Sequence, residues 1–375
     1  MFELTSEQKA AQATARALAE RVTPMAAEAD ECSTIHEGVR TALRESELAR
    51  YVVTANYGGM YERLDPLTLA VIREALMSSS AHLDSLFAMQ GVGSYPLSLG
   101  GASELRDAWL PRVARLDAIA GLALTEPEIG SDLRAVSTTI REEGGELVIN
   151  GRKSFITNGG VADFYSVLGA EGDGHSMALV PADAVGLSVA PGADIMAPHI
   201  LGELTFDNVR VPASHRLGEP GRAFSLMLQT LAVFRVTVAG SAVGLAQAAL
   251  NEAVAHAKAR EQFGRPLIEL GAVSQAVALS WTEIEGSRSF VYRAAAQASV
   301  DPLAHLDFSS MAKVHATEMA ARVVDRSLQS MGRFGLVRGS TIERLYRNAR
   351  PLRIYEGSTE VLLDSLARRL AKGGR

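Results

Sequence analysis

The apolar positions in the first third of the chain recur at helical spacing. A capping-box pattern at Thr5 and Gln8 opens a stretch whose apolar residues return every three or four positions through Val22. The segments DPLTLAVIREALMSS and SELRDAWLPRVARL repeat this period, and the glycine pairs in YGG and LGG interrupt it. The pattern predicts an N-terminal helical domain over residues 1–120.

The middle of the chain changes to short apolar runs that are rich in valine and threonine. Turn-forming pairs, Gly144–Gly145 and Asn150–Gly151, separate the first of these runs. Because Asn-Gly readily takes the positive φ angles of a type I′ turn, the second pair predicts a hairpin. We therefore expect an all-β domain over residues 121–219.

Longer helices return from about residue 220. The segment VAGSAVGLAQAALNEAVAHAKAREQ can run as one helix, and Gly240 and Gly244 would let another helix approach closely. Core packing in a bundle is the preferred interpretation, because we find no run of about 18 apolar residues, the length that spans a membrane. The C-terminal domain is predicted to cover residues 220–375.

The net charge and the cysteine content argue against several classes of protein. The formal net charge of −6 argues against a nucleic-acid binder, which needs a basic face. The single cysteine, Cys32, excludes an internal disulfide, and the start of the chain lacks the apolar segment of a secretory signal. We expect a cytoplasmic protein. The histidines are scattered without the spacing of metal ligands, so we expect no metal site.

Two motifs of the middle region offer groups that could bind a ligand. In LTEPEIGSD, Thr125 and Ser131 supply hydroxyls and Gly130 allows close approach to the backbone. In FITNG, Thr157 could donate to a planar heteroaromatic ring against which Phe155 packs. Each motif alone is more often an ordinary turn or strand end.

Three further motifs lie in the C-terminal region. AREQFGRPL contains Arg260, whose fixed fork of donors suits a phosphate, although a surface ion pair is the commoner role. QSMGRFG begins an arginine-rich stretch whose ordinary use is an ion-pair face. RIYEGSTEV places a lone acid, Glu356, in a turn between an aromatic residue and a glycine.

The order and spacing of these motifs resemble the acyl-CoA dehydrogenase family of flavoproteins along nearly the whole chain. The resemblance implies an α+β multidomain fold with an N-terminal helical domain, a middle β-barrel and a C-terminal four-helix bundle. It also implies FAD as cofactor, with its adenosine end reaching a neighbouring subunit. Family members are usually homotetramers, and the resemblance implies electron transfer to an electron-transfer flavoprotein.

The resemblance also implies roles for individual residues. Glu356 would be the catalytic base that removes the α-proton of an acyl thioester as hydride passes from Cβ to the flavin N5, and its backbone N–H would bind the thioester carbonyl. Phe234 holds the position where other members carry the base, and it cannot act as one. Substrate contacts would come from Ser131, Arg235 and Gly357. FAD contacts would come from Leu124, Thr125, Gly130, Ser131, Phe155, Thr157, Arg260, Gln262, Phe263, Gln329, Gly332, Ser358 and Glu360.

Four positions depart from the family pattern. Gly271 stands where a glutamine often helps to hold FAD, and Arg333 replaces the second glycine of a Gly-Gly pair. Ala232 replaces a polar residue that meets the CoA end of the substrate, and MAPHILGEL lacks the usual Ser/Thr-rich stretch. Three functions stay open: an acyl-CoA dehydrogenase, which is preferred; a dehydrogenase of acyl or aminoacyl groups on a carrier protein; and a family member that binds FAD without catalysis.

Overall fold

The computed structural model describes residues 3–373. Its α-helices are α1 Ser6–Val22, α2 Ala26–Ala29, α3 Glu37–Glu45, α4 Pro66–Met77, α5 Ala81–Gly100, α6 Ser103–Ala114, α7 Ala223–Ala259, α8 Gly271–Val300, α9 Leu306–Met331, α10 Thr341–Ala349 and α11 Thr359–Ala371. Its strands are β1 Ala120–Ala123, β2 Thr139–Glu143, β3 Glu146–Thr157, β4 Phe164–Glu171, β5 Gly174–Pro181, β6 Leu187–Pro191, β7 Leu201–Pro212, β8 Arg216–Leu217, β9 Glu261–Gln262 and β10 Arg265–Pro266. The predicted order of helices, then strands, then helices is confirmed. The domain limits at residues 120 and 219 stay a prediction.

The chain forms two compact units. The helical unit comprises Met1–Glu31, Pro66–Asp84 and Arg235–Arg375, and the sheet unit comprises Cys32–Asp65 and Ser85–Phe234. Helices α5 and α7 contribute residues to both units. Local sequence signals account for the start of the helical unit: the Thr5 hydroxyl accepts from the Gln8 N–H at 3.2 Å and the Gln8 side chain accepts from the Thr5 N–H at 3.0 Å. The predicted capping box is therefore present.

Helix α7 is a core helix of the fold. By length and composition it could cross a membrane, yet 83% of its most apolar window is buried inside the protein. Gly240 and Gly244 face α4, where an added Cβ would come within 2.3 Å of the Ala70 carbonyl oxygen and 1.9 Å of that of Glu74. The predicted close approach of a second helix is confirmed. Apolar residues of α4, α7, α8, α9 and α10 share one core.

The sheet unit contains one mixed eight-stranded sheet. Seven strands follow the order β6-β7-β3-β2-β4-β5-β8, and β1 pairs in parallel with β4. The hairpin predicted at Asn150–Gly151 is wrong: β3 runs through this pair with a register shift against β7, and Gly144–Gly145 forms the turn between β2 and β3. Gly151 is required for a different reason, because a Cβ there would come within 2.5 Å of Thr138.

Candidate active site

The turn that carries Glu356 lies between α10 and α11 in the helical unit. Glu356 takes a left-handed backbone conformation with φ of 52°, which is uncommon for a residue with a side chain. Gly357 follows with φ of 102°, and a Cβ there would lie 2.8 Å from the Leu362 side chain, so glycine is needed at this position. A backbone conformation of this kind persists only where surrounding contacts enforce it.

Helix α9 supplies several of those contacts. The Lys313 Nζ, which is fully buried, donates to the Gly357 carbonyl oxygen at 2.6 Å. The Glu318 Oε1 accepts from the Arg353 Nε and from the Thr359 hydroxyl, each at 2.8 Å. The turn is thus bonded to α9 at three points: at Arg353 before Gly357, at Gly357 itself, and at Thr359 after it.

Arg235 on α7 binds the backbone carbonyl of Glu356 itself. Its Nε donates to the Glu356 carbonyl oxygen at 3.0 Å, and its Nη1 donates to the Ser310 hydroxyl at 3.1 Å. The side chain is buried, with a relative exposure of 8% for the residue. The guanidinium predicted to contact substrate therefore has partners within the protein, and a substrate contact for it stays a prediction.

The Glu356 carboxyl is half-buried and its electrostatic surroundings are mixed. Burial raises its pKa, the positive charges of Arg73, Arg235 and Lys313 lower it, and the negative charge of Asp84 raises it; the sum is a raised pKa. The Glu356 Oε2 is shielded from solvent and accepts no hydrogen bond from any group in residues 3–373. A carboxylate with a raised pKa and an unused oxygen is suited to taking a proton from a ligand.

A polar cluster near this turn is buried apart from its member Tyr355, which is 39% exposed. The Arg73 Nε and Nη2 donate to the two carboxylate oxygens of Asp84 at 2.9 and 2.7 Å, and the Arg73 Nη1 donates to the Thr237 hydroxyl at 2.9 Å. The Ser241 hydroxyl donates to Asp84 at 3.0 Å, and the positive charge of Arg73 acts on the Tyr355 hydroxyl. We call these five residues the Arg73–Asp84 cluster. Sequence reasoning missed it, because its members come from separate segments and follow no motif spacing.

In the sheet unit, the segment after β1 is tied to β3. The Lys153 Nζ donates to the Leu124 carbonyl oxygen at 2.8 Å, and the Ser154 N–H donates to the Thr125 carbonyl oxygen at 3.0 Å. Lys153 also forms a buried ion pair with Glu126 at 2.9 Å. These contacts bring Leu124 and Thr125 next to the strand that ends in Phe155 and Thr157, so the two motifs of the middle region are neighbours in the fold.

The end of β3 presents both an aromatic ring and a hydroxyl. Phe155 has a φ of 55° and is 54% exposed. The Thr157 Oγ1 lies 3.2 Å from the His199 Nε2, and burial lowers the pKa of His199 to about 4, so this imidazole is neutral at pH 7. Sequence reasoning missed His199, which lies in MAPHILGEL. Gly130 and Ser131 are exposed, and a Cβ added to Gly130 would meet no atom within 4 Å.

The predicted phosphate-binding residues lie at the ends of α7 and α9 in the helical unit. Arg260 follows α7, and its guanidinium carbon lies 5.6 Å from the centre of the Phe334 ring, which Arg333 also covers. Gln262 and Phe263 belong to the short β9–β10 ribbon, where Phe263 is 91% exposed. Gln329 and Gly332 are exposed at the end of α9, whereas Ser358 and Glu360 begin α11.

The chemistry of these groups fits FAD. A flavin ring needs an apolar face and hydrogen-bond donors, which the sheet unit offers at Phe155 and Thr157. A pyrophosphate needs cations and amides, which the helical unit offers at Arg260 and Gln262. In residues 3–373 no group of three or more His, Cys, Asp or Glu side chains is placed to hold a metal ion.

The three-part fold and the groups suited to FAD are those of a flavin-dependent dehydrogenase. The chain matches the acyl-CoA dehydrogenase N-terminal domain over residues 5–117, the middle domain over 121–209 and the C-terminal domain over 221–371. It therefore belongs to the acyl-CoA dehydrogenase family and, like the family, uses FAD.

Similar proteins cover nearly its full length. Cyclohexane-1-carbonyl-CoA dehydrogenase of Geobacter metallireducens is 32% identical over 99% of both chains. Butyryl-CoA dehydrogenase from Megasphaera elsdenii has a structure that matches with a TM-score of 0.93 and 28% identity, over 99% of this chain and 100% of that one. A glutaryl-CoA dehydrogenase from Mycobacterium smegmatis in complex with FADH2 matches with a TM-score of 0.91 and 25% identity, over 98% and 95% of the two chains.

Proposed function

We propose that this protein oxidises an acyl-CoA to the 2-enoyl-CoA, with Glu356 as the base. The observation that carries this assignment is the Glu356 carboxyl itself: it is half-buried, its pKa is raised by burial, and its Oε2 has no partner in residues 3–373. A carboxyl that served only the fold would be hydrogen-bonded. Family membership supplies the reaction class, and the two proteins named as butyryl- and cyclohexane-1-carbonyl-CoA dehydrogenases support a CoA thioester as substrate.

The carboxylate and the backbone N–H of Glu356 have separate roles in the proposed reaction. The Glu356 carboxylate takes the proton from Cα, and the electron pair of that C–H bond forms the new Cα–Cβ double bond. FAD, when bound, accepts the hydride that leaves Cβ. The Glu356 backbone N–H donates to no acceptor in residues 3–373, so it is available to the thioester carbonyl, where negative charge develops as the proton leaves.

The residues proposed to hold FAD fall into two sets. In the sheet unit, Phe155 would pack against the flavin ring and Thr157 would donate to it, with Leu124, Thr125, Gly130 and Ser131 nearby. In the helical unit, Arg260, Gln262, Phe263, Gln329 and Gly332 would meet the pyrophosphate of a partner subunit's FAD, and Ser358 and Glu360 would flank its adenine side. The surface position of Phe263, which is 91% exposed, supports a role across an interface.

We further propose a homotetramer that works in the cytoplasm in fatty acid metabolism and transfers electrons to an electron-transfer flavoprotein. Large apolar side chains on the surface of the helical unit support self-association: Trp281 is 62% exposed, Leu279 50% and Leu363 50%. The family relationship supports the electron acceptor.

A panel of thioesters tests the reaction. The purified protein is incubated separately with butyryl-CoA, cyclohexane-1-carbonyl-CoA and longer acyl-CoA esters in the presence of a dye that accepts electrons. The product masses are measured by mass spectrometry. We expect loss of two hydrogen atoms from at least one ester, with equimolar dye reduction. A protein that holds FAD yet oxidises no ester, on CoA or on a carrier protein, would instead indicate the non-catalytic alternative.

A further inference from the structure

More positive than negative side chains act on the Glu356 carboxyl. Arg73 of α4, Arg235 of α7 and Lys313 of α9 are positive, and Asp84 of α5 is the negative group that acts on Glu356 alongside them. Three uncompensated cations would favour the ionised carboxylate and weaken it as a base. The feature that opposes them is the contact between Asp84 and Arg73.

Arg73 and Asp84 form several hydrogen bonds in this contact. The Asp84 carboxylate accepts hydrogen bonds from two nitrogens of Arg73 at 2.9 and 2.7 Å and from the Ser241 hydroxyl at 3.0 Å. Arg73 and Asp84 are each 3% exposed. The third guanidinium nitrogen donates to Thr237. All three guanidinium nitrogens of Arg73 therefore donate within the protein.

The cluster reaches the catalytic turn by two routes. The positive charge of Arg73 acts on the hydroxyl of Tyr355, the residue before Glu356, and lowers its pKa against the effect of burial. Thr237, which accepts from Arg73, lies two positions after Arg235, whose Nε holds the Glu356 carbonyl oxygen at 3.0 Å. A change of charge at Asp84 therefore acts close to the base without any direct contact with it.

We propose that Asp84 compensates the charge of Arg73 so that Glu356, set among buried cations, keeps the strength that proton abstraction requires. This inference rests on the proposed role of Glu356. Arg73 and Asp84 are positioning residues, since they act on the reaction through Glu356. The competing explanation is that the ion pair only ties α4 and α5 to α7.

The direction of the expected change follows from the charge. A base must be ionised to accept the proton, so the rate of flavin reduction rises with pH through the pKa of Glu356. Asp84→Asn removes a negative neighbour and leaves Arg73 uncompensated, which lowers that pKa. We expect the midpoint of the rising limb to move to lower pH by about one unit, the size of effect that one nearby charge produces. The plateau rate should also fall, because the base is weaker.

The experiment measures anaerobic bleaching of the FAD-loaded enzyme by a saturating acyl-CoA from acid to neutral pH. Three variants are compared with the wild type: Asp84→Asn, the double variant Arg73→Met with Asp84→Asn, and Ser241→Ala. The double variant restores charge balance without the ion pair, so its midpoint should return to within about 0.3 unit of the wild type, a fraction of the one-unit effect. Ser241→Ala removes a hydrogen bond from Asp84 but no charge, and its midpoint should not move.

The outcomes separate the explanations. An Asp84→Asn midpoint equal to that of the wild type, or a double variant that stays as shifted as the single one, would overturn the inference. If Asp84→Asn does not yield folded, FAD-loaded protein, Asp84→Ser removes the same charge and carries the test. Glu356→Gln is run in parallel: bleaching at the wild-type rate in that variant would refute the proposed base, whereas a normal Glu356 result with unmoved Asp84 variants refutes only the charge compensation.

Discussion

The turn around Glu356 and the strand end at Phe155 and Thr157 are built in different ways. The turn is held by buried charged groups from distant segments: Arg235 binds the Glu356 carbonyl and Lys313 binds the Gly357 carbonyl. At the strand end Phe155 is exposed at a positive φ, and the Thr157 hydroxyl lies 3.2 Å from the neutral His199 imidazole. The turn thus depends on hydrogen bonds from buried cations of other helices, whereas the strand end has an exposed ring and a contact between two neutral side chains.

Replacing the base should produce the largest effect. Glu356→Gln keeps the shape of the side chain and removes its ability to accept a proton, so flavin bleaching by acyl-CoA should slow by about 10²–10⁴-fold. Stopped-flow absorbance of the anaerobic enzyme measures this rate. FAD content and thermal midpoint equal to those of the wild type show that the fold is intact. Bleaching at an undiminished rate would mean that another residue takes the proton.

Loss of the Lys313 contact should affect the turn around Glu356 and leave the strand end at Phe155 and Thr157 unchanged. Lys313→Met leaves the Gly357 carbonyl without its charged donor, and a hydrogen bond to a charged group is worth about 1.5–3 kcal/mol. We expect about a 10- to 150-fold slower reductive half-reaction, while the spectrum of bound FAD stays unchanged. The exposed Lys258 on α7 gives a matched control, and Lys258→Met should behave as the wild type. Equal rates in both variants would show that the turn holds its conformation without Lys313.

Arg260→Ala tests the proposed pyrophosphate contact across subunits. Loss of a charged hydrogen bond should weaken FAD binding by about 1.5–3 kcal/mol and loosen the assembly at the same time. FAD titration and analytical ultracentrifugation read out the two effects. Arg338→Ala, at another exposed arginine of the helical unit, is the control. A stable assembly with unchanged FAD affinity would reduce Arg260 to a surface charge stacked on Phe334.

Thr157→Val should have the smallest effect. It removes one neutral hydroxyl, worth about 0.5–1.5 kcal/mol, from the proposed flavin face, so FAD affinity should fall by about tenfold or less. Thr157→Ser keeps the hydroxyl and should restore the affinity. Equal FAD affinity in Thr157→Val and the wild type would show that this hydroxyl serves His199 alone.

The same contrast explains what could be predicted from sequence. The helix–sheet–helix order, the capping box at Thr5 and the glycines of α7 follow from local periodicity and spacing, and they were predicted. The hairpin at Asn150–Gly151 was wrong, because β3 continues through this pair and only its register against β7 shifts there. The Arg73–Asp84 cluster and Lys313 could not be found, since hydrogen bonds and ion pairs between separate segments leave no periodic signal in the sequence. The predicted site residues around FAD stay predictions.

The central claim is that Glu356 removes the α-proton, and hydrogen exchange tests that step alone. An acyl-CoA with a quaternary Cβ, such as 3,3-dimethylbutyryl-CoA, has α-hydrogens but no hydride to lose. Incubated with the FAD-loaded enzyme in D2O, it should gain deuterium at Cα with the wild type and show at least about a 100-fold slower gain with Glu356→Gln. Exchange at the wild-type rate in Glu356→Gln would contradict the account.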